Sequence, residues 1–492
     1  MKVGIKIKRE VVFLAIMLVI ALLSKAQSNL GFYHTHDQFN SSNFNPAFLT
    51  YQQKFTFSVF PLAGMSVGYN NQTIIKDMLK QFLTGTPTKE DFQVVFKSLL
   101  KRDLFYQRME IPILIFGHNS DWGSFDFRIK EVEQIMGNFK GNFSGFLMNP
   151  AIKTLATNQR QAFPANAVYY REYSLGYGKE MIKNKLTIGF RAKFYFGKSN
   201  VFSDVQGGLE ENNGHFLLKT YGPARLSAPI NLVQNSDSLL SSGTMSDDFT
   251  VANYLFNSKN MGTGIDLGIN YQITPQLGFS ASITDLGKIT WKHNISNLNF
   301  KGDYKFPLKF IDTSGAGFIT KTPDFSTEKV NLNELFKITT DQTPYSTSLP
   351  TIFFTGLQYQ INSGLNLGLV DRYISSKGLN QNSISLTASY KVSKKMEITS
   401  GYSIIGNSFT NMPLVILYTR NHSQSFIGTD NFLSFMFPTF SDFSGITFGT
   451  SFFLFQYSSK YKPQLEYLPY FKEKKPKSVG KKGLIYNNYP KN

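Results

Sequence analysis

The chain contains no cysteine, and beyond its first 26 residues it has no long apolar run. The absence of cysteine excludes disulfides, thiolate metal sites, cysteine catalysis and a lipid anchor on cysteine. The longest later apolar runs, such as residues 413–418, are far shorter than the roughly 20 residues that a membrane-spanning helix needs. Aromatic residues are abundant instead, with 47 phenylalanines and 25 tyrosines among 492 residues. Any membrane-spanning part of the mature chain is therefore expected to consist of strands.

The N-terminus has the pattern of a secretory signal peptide. Four basic residues between positions 2 and 9 come before an apolar stretch over residues 11–23, and the small-residue sequence Ser-Lys-Ala follows at 24–26. The alternative is a membrane anchor, but the apolar stretch is too short to span a bilayer. We therefore expect residues 1–26 to be a signal peptide that is cleaved after Ala26, which makes this an exported chain.

Strict alternation of apolar and polar residues recurs along the mature chain. In residues 185–197, Phe190 and Phe194 lie on one face of a predicted strand, while Arg191 and Lys193 lie on the other. Such runs reach the roughly 9–11 residues of a bilayer-crossing strand, whereas strands of soluble proteins average about 5–6. The fold prediction is all-β, a transmembrane antiparallel β-barrel. Arg191 and Lys193 are expected to face the lumen, because a cation facing lipid near mid-bilayer costs about 2–4 kcal/mol.

Fifteen segments are predicted as barrel strands. They are residues 54–69, 104–116, 123–132, 166–178, 185–197, 263–273, 276–291, 296–309, 349–361, 364–373, 382–392, 395–405, 410–419, 423–436 and 443–456. Bacterial single-chain barrels have an even number of strands, so we expect about 14–16 strands, with one segment merged or misassigned. The predicted barrel covers residues 53–456, with partly helical loop insertions at 71–103, 133–163, 198–261 and 311–348. The first insertion has a helix pattern beginning at Thr88, which predicts a helix over the barrel mouth or a partner-binding or membrane-surface helix.

Three segments carry a family resemblance. They are SSNFNPAF at 41–48, MGTGIDLGINYQITPQLGFSASITDLGKITWKHN at 261–294 and GTDNFLSFMFP at 428–438. The chain resembles a Bacteroidota outer-membrane barrel family of unassigned function, and more distantly the FadL-like fatty-acid transporter barrels and type IX secretion-associated barrels. The resemblance implies an N-terminal plug-like segment, residues 27–52, against or inside the barrel. It implies that Asn45, Pro46 and Ala47 lie at the lumenal constriction; the alternative is a plain turn before the first strand.

The sequence contains no pattern of catalytic residues. No nucleophile elbow or paired-base spacing occurs, so we expect neither catalytic residues nor a cofactor. His34, His36 and Asp37 could together hold a metal ion, but a solvated segment is the simpler interpretation, and we predict no metal site. Asp266 alternates with apolar residues and is expected in the lumen. Asp285 interrupts an apolar alternation, which predicts either a lumenal ligand-binding acid or a turn cap or bulge beside Trp291 in an interfacial aromatic belt.

The C-terminal residues 457–492 form a basic segment with nine lysines against Glu466 and Glu473. The segment shows no amphipathic period, so we expect an extended periplasmic tail. It could bind anionic lipid headgroups or an acidic periplasmic or envelope protein, or it could be merely solvated; nucleic acid is not an expected partner. The lysines proposed for such contacts are Lys472, Lys474, Lys475, Lys477, Lys481 and Lys482.

Two functions fit an exported barrel in the outer membrane, in contact with outer-membrane lipid. The first is passage of a hydrophobic or amphipathic solute through a plugged lumen, and the sequence favours it slightly because barrels with plugs are usually conduits. The alternative is a structural or partner-binding barrel in a cell-envelope assembly, such as the type IX secretion and gliding apparatus of Bacteroidota. An enzyme is a distant third.

Overall fold

The structure is a computed structural model. It describes residues 30–35, 38–51, 55–70, 104–138, 160–212, 215–235, 238–245, 250, 254, 258–307, 310–312, 321–323, 337–376, 379–406, 408–437 and 443–455. The predicted signal peptide, the predicted helix that begins at Thr88, and the basic tail over 457–492 lie outside the described residues.

Strands account for most of the described chain. They are β1 (Phe55–Val59), β2 (Met65–Asn70), β3 (Leu104–Ser120), β4 (Gly123–Asn138), β5 (Arg160–Ile182), β6 (Leu186–Asn212), β7 (His215–Ser227), β8 (Ile230–Asn235), β9 (Ser238–Met245), β10 (Met261–Gln272), β11 (Leu277–Trp291), β12 (Asn297–Pro307), β13 (Phe310–Asp312), β14 (Lys321–Pro323), β15 (Ile338–Asp341), β16 (Tyr345–Ser348), β17 (Thr351–Gln360), β18 (Leu365–Ser376), β19 (Leu379–Lys391), β20 (Met396–Ile405), β21 (Ser408–Asn411), β22 (Leu414–Thr419), β23 (Ser423–Thr429) and β24 (Phe443–Phe455). Three 3₁₀ turns, Leu30–Phe32, Phe39–Asn43 and Pro46–Tyr51, precede β1, and one short helix, α1 (Leu433–Met436), precedes β24. No helix in the described part of the chain has the length and hydropathy needed to cross a membrane.

Fourteen of these strand units close into an antiparallel barrel. Three positions of the barrel are each formed by two short consecutive strands, namely β1 and β2, β16 and β17, and β21 and β22. Around the barrel the order is β1/β2, β3, β4, β5, β6, β10, β11, β16/β17, β18, β19, β20, β21/β22, β23 and β24. The barrel closes where β24 pairs with both β1 and β2. The predicted all-β barrel is therefore confirmed, with the lower of the two even strand numbers.

The surplus predicted strand is residues 296–309, which correspond to β12. This strand pairs with β7 and β15 rather than with a neighbour in the barrel. It belongs to a sheet extension at one end of the barrel. The extension forms because β6, which is 27 residues long, continues past the barrel wall and pairs there with β7. The segments expected to be loop insertions at 133–163 and 198–261 thus contain strand, because β4, β5 and β6 continue with polar alternation beyond the length that a bilayer requires.

The two faces of the barrel wall differ as the alternation predicts. On β6, Phe190 and Phe194 are 42% and 47% exposed on the outer face, whereas Arg191 and Lys193 are 1% and 3% exposed on the inner face. Tyrosines on the outer face lie beside the short strand-to-strand turns, as in an interfacial aromatic belt. They are Tyr177, Tyr271, Tyr359, Tyr390 and Tyr418.

Trp291 does not belong to such a belt. Its side chain is fully buried in a cluster with Tyr170, Tyr195 and Ile289, and its indole Nε1 donates a hydrogen bond of 2.8 Å to Thr347 Oγ1. The predicted place of Trp291 in an aromatic belt is therefore wrong. After the bulge at Asp285, the odd-numbered residues of β11, including Trp291, point into the barrel.

Candidate lumenal site

Residues 30–35 and 38–51, here called the plug, run inside the barrel. The turn Pro46–Tyr51 packs on the inner faces of β5, β6 and β10, and the turn Leu30–Phe32 packs on β19, β20, β22 and β23. Tyr33 and Phe48 are fully buried, and the hydroxyl of Tyr33 lies 3.0 Å from Ser280 Oγ on β11. The chain therefore crosses the lumen between opposite walls of the barrel before it enters β1.

Asn45 fixes the plug to the wall through its side-chain amide. Its Nδ2 donates to the carbonyl oxygens of Ile269 at 2.9 Å and Ala281 at 3.3 Å, on the paired strands β10 and β11. Its Oδ1 accepts a 2.9 Å hydrogen bond from the backbone N–H of Ala47. Pro46 has no N–H to satisfy and Ala47 is small and fully buried, which allows the turn to lie directly against the wall.

Glycines on the inner face make room for the plug. A Cβ at Gly189 would overlap the backbone of Pro46 and Ala47, and a Cβ at Gly268 would overlap the Asn45 side chain. The aromatic part of the plug has equivalent positions, where a Cβ would overlap Tyr33, His34 or Phe32. These are Gly356, Gly368 and Gly428 respectively. The close approach of plug and wall thus depends on glycine at several strands, and a sequence without coordinates does not reveal which glycines these are.

Ten charged residues on the inner face of β3, β4, β5, β6, β10 and β11 form one ion-pair network, here called the charge layer. Its cations are Arg108, Arg128, Lys130, Arg191 and Lys193, and its acids are Glu110, Asp126, Glu172, Asp266 and Asp285. All ten are buried. Five cations balance five acids, so the layer is electrically neutral.

Lys193 lies at the centre of the charge layer. Its Nζ is 2.8 Å from Asp266 Oδ1, 2.6 Å from Asp285 Oδ1 and 3.8 Å from Glu172 Oε2. On one side Arg191 joins Asp266 to Asp126, with the Asp126 contact at 2.7 Å. The structure therefore brings together four of the residues that the sequence assigned to the lumen, Arg191, Lys193, Asp266 and Asp285.

The other side of the charge layer comes from β3 and β4. Arg108 lies 3.0 Å from Asp285 Oδ2 and 2.6 Å from Glu110 Oε1, and Lys130 lies 3.4 Å from Glu110 Oε2. Sequence reasoning missed Arg108, Glu110 and Lys130. Their signal was the same alternation that identified Arg191 and Lys193, since charged residues occupy alternate positions at 108 and 110 of β3 and at 126, 128 and 130 of β4.

Asp285 reaches the charge layer through a β-bulge. The register between β10 and β11 shifts between Ile265 and Leu267, and Asp285 has a positive φ of 59°. Its backbone N–H donates a 2.8 Å hydrogen bond to Asp266 Oδ1, and its side chain is buried. Asp285 is therefore a bulge residue whose carboxylate points into the lumen, and a ligand-binding role for it stays a prediction.

Two arginines of the charge layer bind the plug. Arg128 donates to Asn43 Oδ1, to Ser42 Oγ and to the carbonyl oxygen of Phe39, while Arg191 donates to the carbonyl oxygen of Ser42 at 2.7 Å. Both guanidinium groups also contact Asp126 Oδ2. The turn Phe39–Asn43 is thus held by a pair of arginines that share one acid.

A small cavity of about 70 Å³, open to solvent at its mouth, lies beside the plug. Its apolar lining includes Phe32 and Phe44 of the plug, with Tyr106, Ile352, Phe354 and Phe448 of the wall. Its charged lining is Arg108, Glu110, Lys130, Lys193, Asp285 and Arg372. Asn45, Pro46 and Ala47 lie against the wall outside this lining. The site therefore presents an aromatic side and a charged side to one partly open space.

Two other predicted features are only partly described. His34 Nε2 lies 3.1 Å from the carbonyl oxygen of Leu369 inside the barrel, while His36 and Asp37 lie outside the described residues. Within the described ranges no three histidine or acidic side chains converge as a metal site would require. The six lysines proposed for the basic tail lie outside the described residues.

Solved structures that resemble the chain are distant in sequence. The Ralstonia pickettii toluene transporter TbuX is 11% identical, with a TM-score of 0.40 over 85% of this chain and 93% of its own. The Pseudomonas putida toluene transporter TodX is 10% identical, with a TM-score of 0.36 over 87% of this chain and 94% of its own. The monoaromatic hydrocarbon channel CymD is 11% identical, with a TM-score of 0.37 over 88% and 97%. No curated protein matches the chain.

A family signature covers most of the barrel. The profile described as a family of unknown function, DUF5723, matches residues 46–430. The match begins at Pro46 in the plug and ends at Asp430, directly after β23, so it includes all ten residues of the charge layer. The predicted membership of a family without assigned function is therefore confirmed, whereas its link to Bacteroidota and to type IX secretion stays a prediction. The chain belongs to the DUF5723 family.

Proposed function

We propose that the protein is a non-enzymatic barrel of the outer membrane that passes a hydrophobic or amphipathic solute through its lumen. The observation that carries this proposal is the two-sided cavity beside the plug. Phe44 and Phe354 offer an apolar surface, and the charge layer with Arg372 offers a polar one. Ligand sites combine a mostly apolar wall with a few placed polar groups, and this cavity has that character.

Packing elsewhere in the lumen supports a route on this side. The turn Pro46–Tyr51 fills the lumen along β5, β6 and β10. A hydrophobic cluster built around Tyr170, Tyr195 and Trp291 fills the interior along β5, β6 and β11. The cavity is lined mainly by β2, β3, β11, β17 and β24, with single residues from β4, β6 and β18. A solute that crosses the barrel is therefore expected to follow these strands.

A substitution that fills the cavity tests the proposal. Thr447 lines the cavity, so Thr447→Trp should block it and reduce solute flux into proteoliposomes by about tenfold or more. Thr450→Trp is the matched control, because Thr450 has the opposite parity on the same strand. A flux unchanged by Thr447→Trp, in protein that still forms a heat-resistant barrel, would contradict passage through this cavity.

A second candidate function is a structural barrel that binds an envelope partner, for example in a secretion or gliding apparatus. The neutral charge layer and the arginine contacts to Ser42 favour it, because they hold the plug firmly in the lumen. The basic residues 457–492 would then provide the partner contact. Purification of the full chain and of a chain ending at Gln456 in mild detergent separates the two functions, since a stoichiometric protein partner lost with the tail supports the structural role.

A further inference from the structure

Three of the four cations that line the cavity are ion-paired with acids. Arg108 contacts Glu110 and Asp285, and Lys193 contacts Asp266, Asp285 and Glu172. Lys130 lies between Glu110 and Glu172 at 3.4 and 3.5 Å. Arg372 donates to Ser383 Oγ at 3.1 Å and interacts electrostatically with Asp430. Arg108, Lys130 and Lys193 therefore present neutralised pairs to the cavity, and Arg372 is hydrogen-bonded to Ser383.

An anionic solute would enter such a cavity at a cost. Its carboxylate would lose its water and would have to displace Glu110 or Asp285 from the arginine and lysine groups that they contact. Removing one partner from a buried ion pair leaves a charge uncompensated, which is strongly unfavourable. A cationic solute would in the same way have to displace Arg108 or Lys193 from the acids that they contact. Neutral pairs therefore discriminate against both signs of charge.

An uncharged polar group meets no such barrier. Thr284, Ser66 and Thr447 supply hydroxyls to the lining, and Gln38 and Asn43 of the plug supply amides. Ser66 and Thr447 hydrogen-bond each other at 2.6 Å. Because hydroxyl and amide groups carry both donors and acceptors, these groups can form further hydrogen bonds to a hydroxyl, carbonyl or amide without disturbing an ion pair. The rings of Phe32, Phe44 and Phe354 meanwhile provide the surface for an apolar body.

We propose that the cavity selects an uncharged amphiphile, with an aromatic or short aliphatic body and one hydroxyl, carbonyl or amide group. Fatty-acid-like anions, alkylammonium cations and pure hydrocarbons are all disfavoured against it. The selection follows from the complete pairing of the charge layer together with the polar groups that surround it. This inference rests on the proposed function, because it names the class of solute for the same cavity.

Five matched one-ring probes test the selection: benzyl alcohol, benzamide, benzoate, benzylamine and toluene. Binding to the full chain in nanodiscs is measured at pH 7 by equilibrium dialysis, with empty nanodiscs and Thr447→Trp as controls for partition into lipid. Benzyl alcohol and benzamide should bind about tenfold more tightly than benzoate and benzylamine, and more tightly than toluene. Benzoate, benzylamine or toluene as the tightest probe overturns the inference and leaves the proposed function standing. No binding by any probe overturns both.

A charge-removing variant gives a second, independent readout. Glu110→Gln takes one acid from the lining and leaves Arg108 and Lys130 short of a partner. The ratio of benzoate to benzyl alcohol affinity should then rise about tenfold. Glu180→Gln removes the same charge from an exposed position at the turn between β5 and β6, and it should leave the ratio unchanged.

Folding of the variants is checked by heat-modifiable gel migration. If Glu110→Gln does not form a barrel, Asp285→Asn serves in its place, since Asp285 also lines the cavity and contacts Arg108 and Lys193. An affinity ratio that stays constant in a folded variant overturns the inference. If neither variant folds, the order of probe affinities in the unaltered protein decides.

Discussion

At the scale of single residues, Asp126 has the most consequential position in the lumen. Its Oδ2 accepts from both Arg128 and Arg191, and its side chain is fully buried. The same two arginines donate to Ser42 of the plug. Asp126 thus fixes the two groups that hold the plug, and it acts as a positioning residue for that segment.

Replacing Asp126 by Asn should therefore weaken both the barrel and the seating of the plug. Loss of one acid leaves two buried guanidinium groups under-compensated, and removing one partner of a buried pair typically costs about 3–5 kcal/mol. We expect a lower unfolding temperature by heat-modifiable gel migration. A Ser41→Cys reporter in the plug, in a chain that otherwise has no cysteine, should also react faster with maleimide.

Asp121→Asn is the matched control for that experiment. Asp121 lies in the exposed turn between β3 and β4, so the same chemical change there should alter neither property. If Asp126→Asn and the parent protein melt at the same temperature and their Ser41→Cys reporters react with maleimide at the same rate, Asp126 does not position the arginines.

At the scale of elements, the sequence predicted the strands of the barrel wall but not the sheet extension beyond the wall. The first part of β6, up to residue 197, and β10 were located to within two residues because their alternation has the apolar face that lipid requires, whereas residues 198–212 of β6 were expected to be a loop. β12 has a similar alternation, yet it pairs with β7 and β15 outside the barrel wall. Alternation reports that a strand has two unlike faces, and it does not report which strand lies beside it.

Partners within the charge layer were not predictable for a related reason. Arg108 on β3 meets Asp285 on β11, which is 177 positions away along the chain. The contact depends on barrel closure and on the bulge that turns Asp285 inward. The placement of Arg191 and Lys193 needed only local parity, whereas their acidic partners needed the curvature of the whole wall.

The extension sheet carries a pH-sensitive contact at Asp341 on β15. Hydrogen bonds from Thr343, Asn297 and Asn299 hold the pKa of the Asp341 carboxyl well below its usual range. A pKa that is lower in the folded state adds stability above the unfolded value of about 3.9, and that stability is lost as the pH falls below it.

Amide hydrogen exchange at the β12–β15 pairing should therefore accelerate between pH 5 and pH 2 beyond the intrinsic change in exchange rate. Asp341→Asn should remove this extra acceleration, because the side chain no longer titrates. Exchange at the β18–β19 pairing of the barrel is the internal reference. An identical acceleration in the variant would show that Asp341 does not stabilise the extension at neutral pH.

At the scale of the whole molecule, the plug and the barrel form one closed unit. The plug contacts strands on both sides of the lumen, glycines of the wall make room for it, and the charge layer binds its central turn. Sequence reasoning proposed such a segment from a family resemblance carried by three segments, one of which contains the Asn-Pro-Ala motif at 45–47. The motif indicated a place in the chain, whereas the glycine positions and the arginine contacts become visible only in three dimensions.

Deletion of residues 27–49, with the signal peptide retained, should open the lumen. The barrel would lose the hydrogen bonds of Asn45 to β10 and β11 and the arginine contacts to Ser42, while its strand ladder would remain intact. We expect a higher single-channel conductance in planar bilayers and faster, less selective solute uptake. Deletion of the tail after Gln456 is the control and should leave conductance unchanged. Uptake that keeps both its rate and its selectivity without residues 27–49 would show that the plug does not govern passage, and the route would then have to avoid the space that the plug occupies.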